Sequence, residues 1–180
     1  MSEDARTAPR LVVLVGIPGA GKTTYARRLL ARCPALRLVG SDLIREQLYP
    51  GYDRGTVDYL TIDHRRIFRR AYREVAAALA AGASVIFDAT NLTVARRRPL
   101  LRLARAHDAV AVARFFPIDI RLALARNTRR IRRVPPGAIV YMASILEPPT
   151  RAEGFARVAS ALSPPVRVGV ATNRLIDYNG

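Results

Sequence analysis

The chain has 180 residues, half of them hydrophobic, which is enough to bury the core of one domain. Its single cysteine, Cys33, excludes a disulfide framework within the chain, and no apolar run approaches the ~18 residues that a membrane span needs. Lysine and arginine total 30 against 14 aspartates and glutamates, and the formal charge of +16 favours a polyanionic partner, with nucleic acid as the first candidate.

The N-terminal third predicts a strand–helix–strand–helix sequence. Residues 1–10 contain acidic side chains and no apolar core, so we expect a flexible tail rather than a signal peptide, followed by a single domain over residues 11–180 in a cytoplasmic protein. LVVLVG (residues 11–16) is an apolar run ending in glycine and predicts a buried strand. The further elements predicted here are a helix over 21–32, a short strand ending near Val39, and a helix over 42–48 capped by Ser41.

The rest of the chain continues the alternation of helices and strands. Its predicted elements are a helix over 56–81, strand 84–88, helix 93–106, strand 109–116, helix 119–130, helices near 139–146 and 153–162, and a last strand over 166–170. Strands that alternate with helices imply parallel pairing. The predicted class is therefore α/β, a parallel sheet of about five strands flanked by helices.

Residues 16–23, GIPGAGKT, fit the phosphate-loop motif GxxxxGK[ST] in full, between a predicted strand and a predicted helix. Glycines let the backbone wrap around phosphates, and the N–H groups of the loop and helix point at the anion. Lys22 is the only lysine in the chain, so the remaining 29 of the 30 basic residues are arginines. A GC-rich genome would favour arginine and explains part of the positive charge. Lysine is kept at position 22 because the loop has room for the compact ammonium and not for the wider guanidinium.

The loop predicts a P-loop NTPase or kinase fold that binds ATP, or another NTP, together with Mg²⁺. Thr23 is expected to bind the metal through its hydroxyl, and Asp88, which closes the third predicted strand, to support it. An aspartate that only caps a turn is the alternative for Asp88. The residues expected at the donor nucleotide are Gly16, Pro18, Gly19, Ala20, Gly21, Lys22, Thr23 and Thr24.

Three further segments point to the acceptor. Asp42 follows the second strand, where a carboxylate can accept the proton of an attacking hydroxyl and Arg45 can hold a phosphate; an aspartate favoured by the helix dipole is the alternative. The second segment is DATN (88–91), followed by three arginines at 96–98. The third is the arginine-rich stretch 126–133, which predicts a helical lid over the transferring phosphate or, alternatively, a solvated basic helix face.

Taken together, these segments resemble the kinase domain of the polynucleotide 5′-hydroxyl kinases of phage and eukaryotes. The resemblance rests on GIPGAGKTT, SDLIR, DATN with its arginines, RN-x-x-R (126–130) and PT-x-x-EGF (149–155), and it spans residues 11–170. It implies transfer of the γ-phosphate of ATP to a 5′-OH end of DNA or RNA. Ser41 departs from the phage pattern, which has a basic residue there, and the chain lacks a D-x-D-x-T phosphatase signature.

The resemblance also implies residue roles. Asp42 is the general base, Arg45 contacts the phosphate next to the acceptor hydroxyl, and Arg126 and Arg130 are lid residues at the donor, with Arg130 at the transferring phosphate. Lys22 acts with them in catalysis. The residues assigned to the acceptor are Asp42, Arg45, Asp88, Thr90, Asn91 and Arg97.

Two other functions remain open from the residues alone. A P-loop kinase can phosphorylate a metabolite or an antibiotic, and an ATP-dependent nucleic-acid binder can lack catalysis altogether. His64 and His107 have no partner at metal-binding spacing and are interpreted as structural. Tyr49, Tyr52 and Tyr59 can either stack on a base or pack in the core.

Overall fold

A computed structural model describes residues 8–52, 57, 61–131 and 133–161 of the chain. Within them, five strands form one sheet in the order β2–β3–β1–β4–β5. All four strand pairings are parallel. The strands are β1 (Arg10–Val15), β2 (Arg37–Gly40), β3 (Val85–Asp88), β4 (Val110–Phe115) and β5 (Arg157–Ser160). This confirms the predicted α/β class with a parallel sheet flanked by helices.

The helices connect successive strands, as parallel pairing requires. They are α1 (Lys22–Arg32), α2 (Ser41–Leu48), α3 (His64–Ala80), α4 (Val94–Ala106), α5 (Ile120–Asn127) and α6 (Pro136–Ser144), with a 3₁₀ turn at Arg151–Glu153. Three of them begin where a side chain caps the first turn: Asp63, Thr93 and Asp119 each accept a hydrogen bond from the backbone N–H three residues later. In the described ranges, no helix combines the length and apolarity that would let it cross a bilayer.

Both faces of the sheet are buried, which explains why β1 reads as a continuous apolar run. Val12 and Leu14 pack with α1 and the buried Cys33 on one face. Leu11, Val13 and Val15 face the other side, where they form a larger core with α3 and α4. The carboxyl ends of all five strands lie at one edge of the sheet, which we call the C-terminal edge, and the P-loop follows β1 there.

Three predicted helices have clearly different bounds in the structure. The one predicted near 139–146 is α6, which begins at Pro136 and ends at Ser144, since proline is accepted in the first helical turn. The long helix begins at His64, since Asp63 caps it and residues 61–63 are not α-helical; the predicted start at 56 lies outside the described residues. Helix α5 ends at Asn127, so Arg129 and Arg130 lie in the turn that follows it rather than on a continuous lid helix. Ser41 is the first residue of α2 and makes no side-chain cap.

The predicted helix over 153–162 is wrong. Gly154 has φ +113°, which ends the 3₁₀ turn, and the chain then enters β5. Arg157 to Ser160 pair in parallel with Val112 to Phe115 of β4. The pairing partner is distant in the sequence, and the short segment RVAS carries no periodicity that would identify it. The strand predicted over 166–170 and residues 1–7 of the predicted tail lie outside the described residues.

Candidate active site

The P-loop joins β1 to α1 and is held against two neighbouring segments. The backbone N–H of Gly16 donates to the carbonyl of Thr90, 3.0 Å away. Gly19 has φ +83°, and a Cβ there would lie 2.7 Å from the backbone oxygen of Ala123 in α5. Only glycine fits both the conformation and the space. Pro18, Ala20 and Thr24 complete the loop and the first turn of α1.

Lys22 begins α1 and is directed into the loop. Its Nζ donates to the carbonyl of Ile17, 2.8 Å away, and only 8% of the residue is exposed. Burial lowers the pKa of Lys22 from 10.5 to about 8; Asp88 and Asp42 oppose that shift, and Arg130 adds to it. The ammonium thus occupies the phosphate-binding loop and is near both carboxylates and one arginine.

Thr23 and Asp88 form the pair predicted to hold a metal. The Thr23 hydroxyl donates to Oδ2 of Asp88 over 2.7 Å, which joins the start of α1 to the end of β3. Burial raises the pKa of Asp88, while the Thr23 hydrogen bond, Lys22 and Arg27 act in the opposite direction. A hydroxyl and a carboxylate are oxygen ligands, and Mg²⁺ commonly takes one or two of these together with substrate phosphates. The donor set fits that metal.

Asp42 lies in the first turn of α2, directly after β2, and Arg45 follows three residues later in the same helix. Their side chains form an ion pair, and Nη1 of Arg45 also donates to the Ser41 hydroxyl at 3.2 Å. The Arg45 side chain is 10% exposed and lies over the ring of Tyr52, whereas the Asp42 side chain is 52% exposed. Ser41 therefore helps to hold Arg45, and Asp42 presents its carboxylate at the surface.

Two arginines of the predicted lid approach the P-loop, Arg126 from α5 and Arg130 from the turn after it. Nη1 of Arg126 donates to the carbonyl of Gly19 at 3.2 Å, and it would lie 3.6 Å from a Cβ at Gly21. Arg130 is near enough to lower the pKa of Lys22. Asn127, between them in sequence, is buried and exchanges two hydrogen bonds with the backbone of Val134, so it closes the turn that carries Arg130.

Two residues assigned to the acceptor have structural partners instead. Asn91 is buried with φ +48°, and its side-chain amide donates to the carbonyl of Leu14 at 2.7 Å. Arg97 is fully buried. All three of its guanidinium nitrogens are engaged: Nε and Nη2 with the carboxylate of Glu153, and Nη1 with the carbonyls of Asn91, Leu92 and Glu147. Arg97 is therefore inaccessible to a substrate, which contradicts its predicted place in the acceptor set.

The structure thus brings the remaining candidates to the C-terminal edge of the sheet. Lys22, Asp88, Asp42 and Arg130 are close enough to influence one another electrostatically. The sequence analysis missed two residues. Arg27, one helical turn after Thr23 in α1, acts to lower the pKa of Asp88, and Glu153 is the partner of Arg97. The first could have been found from the i, i+4 spacing. The second, 56 residues from its partner, gave no local signal.

The curated proteins that are similar to this chain include two with RNA or polynucleotide in their names. One is an L-seryl-tRNA(Sec) kinase of Methanococcus maripaludis, 26% identical over 136 residues, 73% of this chain and 50% of that protein. The other, from Autographa californica nuclear polyhedrosis virus, is named for polynucleotide kinase and RNA ligase activities; it is 25% identical over 137 residues, 72% of this chain and 19% of that protein. The chain thus spans about half of the first relative and about a fifth of the second.

Solved structures share the fold. A Pnkp1/Rnl/Hen1 complex matches with a TM-score of 0.57 and 26% identity, over 66% of this chain and 38% of that one. A gluconokinase of Sinorhizobium meliloti 1021 matches with a TM-score of 0.58 and 18% identity, over 87% and 85% of the two chains. At that identity the gluconokinase shows only a common fold.

The model of the AAA_33 family, described as an AAA domain, matches residues 11–149. The P-loop with its lysine, the parallel sheet and this match over more than half of the chain show that the chain has the P-loop kinase fold and belongs to the AAA_33 family.

Proposed function

We propose that the protein is an ATP-dependent polynucleotide 5′-hydroxyl kinase. The observation that carries the proposal is Asp42, a half-exposed carboxylate at the C-terminal edge that is near enough to Lys22 to raise its pKa. A carboxylate so placed lies across from the donor loop, where an acceptor hydroxyl must approach the γ-phosphate. It can accept the proton of that hydroxyl.

The reaction is an in-line displacement. The 5′ oxygen of the acceptor attacks the γ-phosphorus, the bond between that phosphorus and the β–γ bridging oxygen breaks, and ADP leaves. Asp42 takes the proton from the attacking oxygen. Arg45 is held beside Asp42 by their ion pair, and 10% of its side chain is exposed. Through that exposed part, its guanidinium can contact the phosphate that follows the 5′ nucleoside, which orients the hydroxyl.

The donor phosphates are bound by the other half of the site. Lys22 and the loop N–H groups contact the β- and γ-phosphates, while Arg126 and Arg130 approach from α5 and the turn after it. Thr23 and Asp88 would hold Mg²⁺, which when bound neutralises charge on the donor phosphates. Preorganised positive charge around the transferring group supplies most of the catalysis in this chemistry.

A nucleic acid is favoured over a small metabolite as acceptor by two facts. The chain carries a formal charge of +16, far more than a small acceptor requires. The names of both curated relatives include an RNA or polynucleotide substrate, although their activities belong to those longer proteins. The gluconokinase similarity, which is one of fold, keeps a small-molecule acceptor as the second candidate.

Transfer of label from γ-labelled ATP tests the proposal. The acceptors are DNA and RNA oligonucleotides with a 5′-OH, the same oligonucleotides with a 5′-phosphate as matched controls, seryl-tRNA and gluconate. We expect label on the 5′-OH oligonucleotides and none on the 5′-phosphorylated ones. Label on seryl-tRNA or gluconate alone would contradict the proposal and identify a different acceptor hydroxyl.

A further inference from the structure

A second basic feature lies outside the candidate active site, between the first turns of α3 and α4. It is a groove of about 580 Å³, which we call the α3–α4 groove. The residues that line it are His64, Arg65, Phe68, Arg69, Tyr72 and Arg96. None of these described lining residues is acidic. The groove is therefore a concentrated positive surface that also contains two aromatic rings.

The two aromatic rings of the groove lead towards the core, with Phe68 tilted by 40° against Tyr72 and Tyr72 stacked on Phe87. The rings of Phe68 and Tyr72 are 6.0 Å apart, and Tyr72 stacks on Phe87 of β3 at 6.1 Å. The guanidinium of Arg96 lies over Phe68, 5.4 Å from the ring centre. Phe68 and the Arg96 guanidinium above it form a cation–aromatic pair on which an unpaired base can stack.

The groove opens towards the edge of the sheet that carries the active site. Helix α3 precedes β3 and runs back along the sheet, so its first residue, His64, lies towards the C-terminal edge. Arg96 is in the first turn of α4, which follows β3 and Asp88. Helix α2, which carries Asp42, packs against α3. A strand whose 5′ end reaches Asp42 can therefore continue past α2 into the groove.

We propose that the α3–α4 groove binds the nucleotides of a single-stranded acceptor that follow its 5′-terminal nucleoside. The inference rests on the proposed function and extends it to a strand-binding subsite. Arg65, Arg69 and Arg96 contact backbone phosphates, and a base stacks on Phe68 and Arg96. Because a base must be unpaired to stack there, the groove favours a single-stranded 5′ end over a blunt duplex end.

The test compares two triple variants that remove the same charge. One is R65Q/R69Q/R96Q, in the groove. The other is R28Q/R37Q/R151Q, whose three arginines are exposed and lie outside both the groove and the site. Affinity for a fluorescent single-stranded 12-mer is measured by anisotropy across a series of salt concentrations. KM and kcat are measured with the 12-mer and with a nucleoside 3′-phosphate, an acceptor too short to reach the groove.

We expect the groove variant to lose about tenfold or more in affinity for the 12-mer, with its log–log salt slope reduced by about 2 for three lost phosphate contacts. Its kcat, and its KM for the short acceptor, should match those of the control variant. Equal 12-mer affinity in the two variants would overturn the subsite while leaving 5′ phosphorylation by the wild type intact. Loss of 12-mer affinity in a protein that transfers no phosphate to a 5′-OH would support the groove and overturn the proposed function.

Stacking is tested separately with Phe68→Leu, which keeps an apolar side chain against the core and removes the ring. We expect about a fivefold or greater loss of 12-mer affinity, with a melting temperature close to that of the wild type. We also expect Phe68→Leu to lower the affinity for a blunt duplex less than the affinity for the single strand. Unchanged affinity for the 12-mer would overturn the role of Phe68 as a base platform.

Discussion

Lys22 is a buried cation that stays charged at neutral pH but loses its proton at a lower pH than an ordinary lysine. Burial lowers its pKa to about 8, and Arg130 contributes to the shift. The free protein therefore loses this proton as the pH rises through about 8, whereas the ATP-bound protein retains it, because the phosphates favour the charged form. Binding ATP above pH 8 must take up a proton, so affinity falls by up to about tenfold per pH unit there.

We expect the Kd for ATP, measured by calorimetry, to be nearly constant from pH 7 to 7.5 and to rise steeply between pH 8 and 9.5. Lys22→Met is the control, since it has no proton to lose at this position and should bind weakly with little pH dependence. A wild-type Kd that does not change over this range, or the same slope in both proteins, would contradict the pKa assigned to Lys22.

Asp42 has two possible roles that one substitution separates. As a general base it acts on the transition state, so Asp42→Asn should lower kcat by about 10²- to 10⁴-fold while the Kd for ATP stays unchanged. As a mere partner of Arg45 it would act on acceptor binding, and its loss would raise KM instead. Arg45→Gln provides the comparison, with an expected increase in KM. If both variants change KM alone, the assignment of the base is wrong.

At the scale of elements, the 3₁₀ turn and α4 are joined by a buried ion pair. Glu153 closes a capping box with Thr150 and binds Arg97 through both carboxylate oxygens. Nη1 of Arg97 donates to the carbonyl of Asn91, in the loop before α4, and to the carbonyl of Glu147, in the segment after α6. These contacts fix the segment between β3 and α4, whose residue Thr90 accepts the hydrogen bond of the P-loop.

Arg97→Met should destabilise the fold by about 3–5 kcal/mol, because it leaves the Glu153 carboxylate buried without its partner. The neighbouring Arg98 is exposed, and Arg98→Met should change the free energy of unfolding by less than about 0.5 kcal/mol. Urea denaturation measures both. Adding Glu153→Met to Arg97→Met should recover part of the loss. A substrate-binding role for Arg97 would instead give a stable variant with a raised KM.

Local chemistry explains which elements the sequence predicts well. The predicted starts of α4 and α5 agree with the structure to within a residue, and there Thr93 and Asp119 cap the two helices. The buried apolar run predicts β1. The P-loop is also local, since its glycines and lysine are contiguous. The partners of Arg97 and the pairing of β5 with β4 depend on contacts that are distant in sequence. The sequence therefore predicts Arg97 as an acceptor-binding residue and the segment of β5 as part of a helix.

At the scale of the whole molecule, the charge of +16 distinguishes the candidate acceptors. A polynucleotide that contacts several arginines releases counterions on binding, so its affinity falls with salt at a log–log slope of about −0.7 per phosphate contact. Four contacts would cost about tenfold to a hundredfold between 50 and 200 mM NaCl. A neutral metabolite bound near Asp42 makes no such contacts and would show little dependence on salt.

We therefore expect KM for a 5′-OH oligonucleotide to rise at least tenfold over that salt range, with kcat nearly constant. KM for ATP in the same assays serves as the internal control, because the donor occupies one compact site and should show a clearly shallower slope. Equal slopes for the two substrates would mean that the arginine surface does not take part in acceptor binding. The excess of arginine would then reflect composition, and the small-molecule alternative would be favoured.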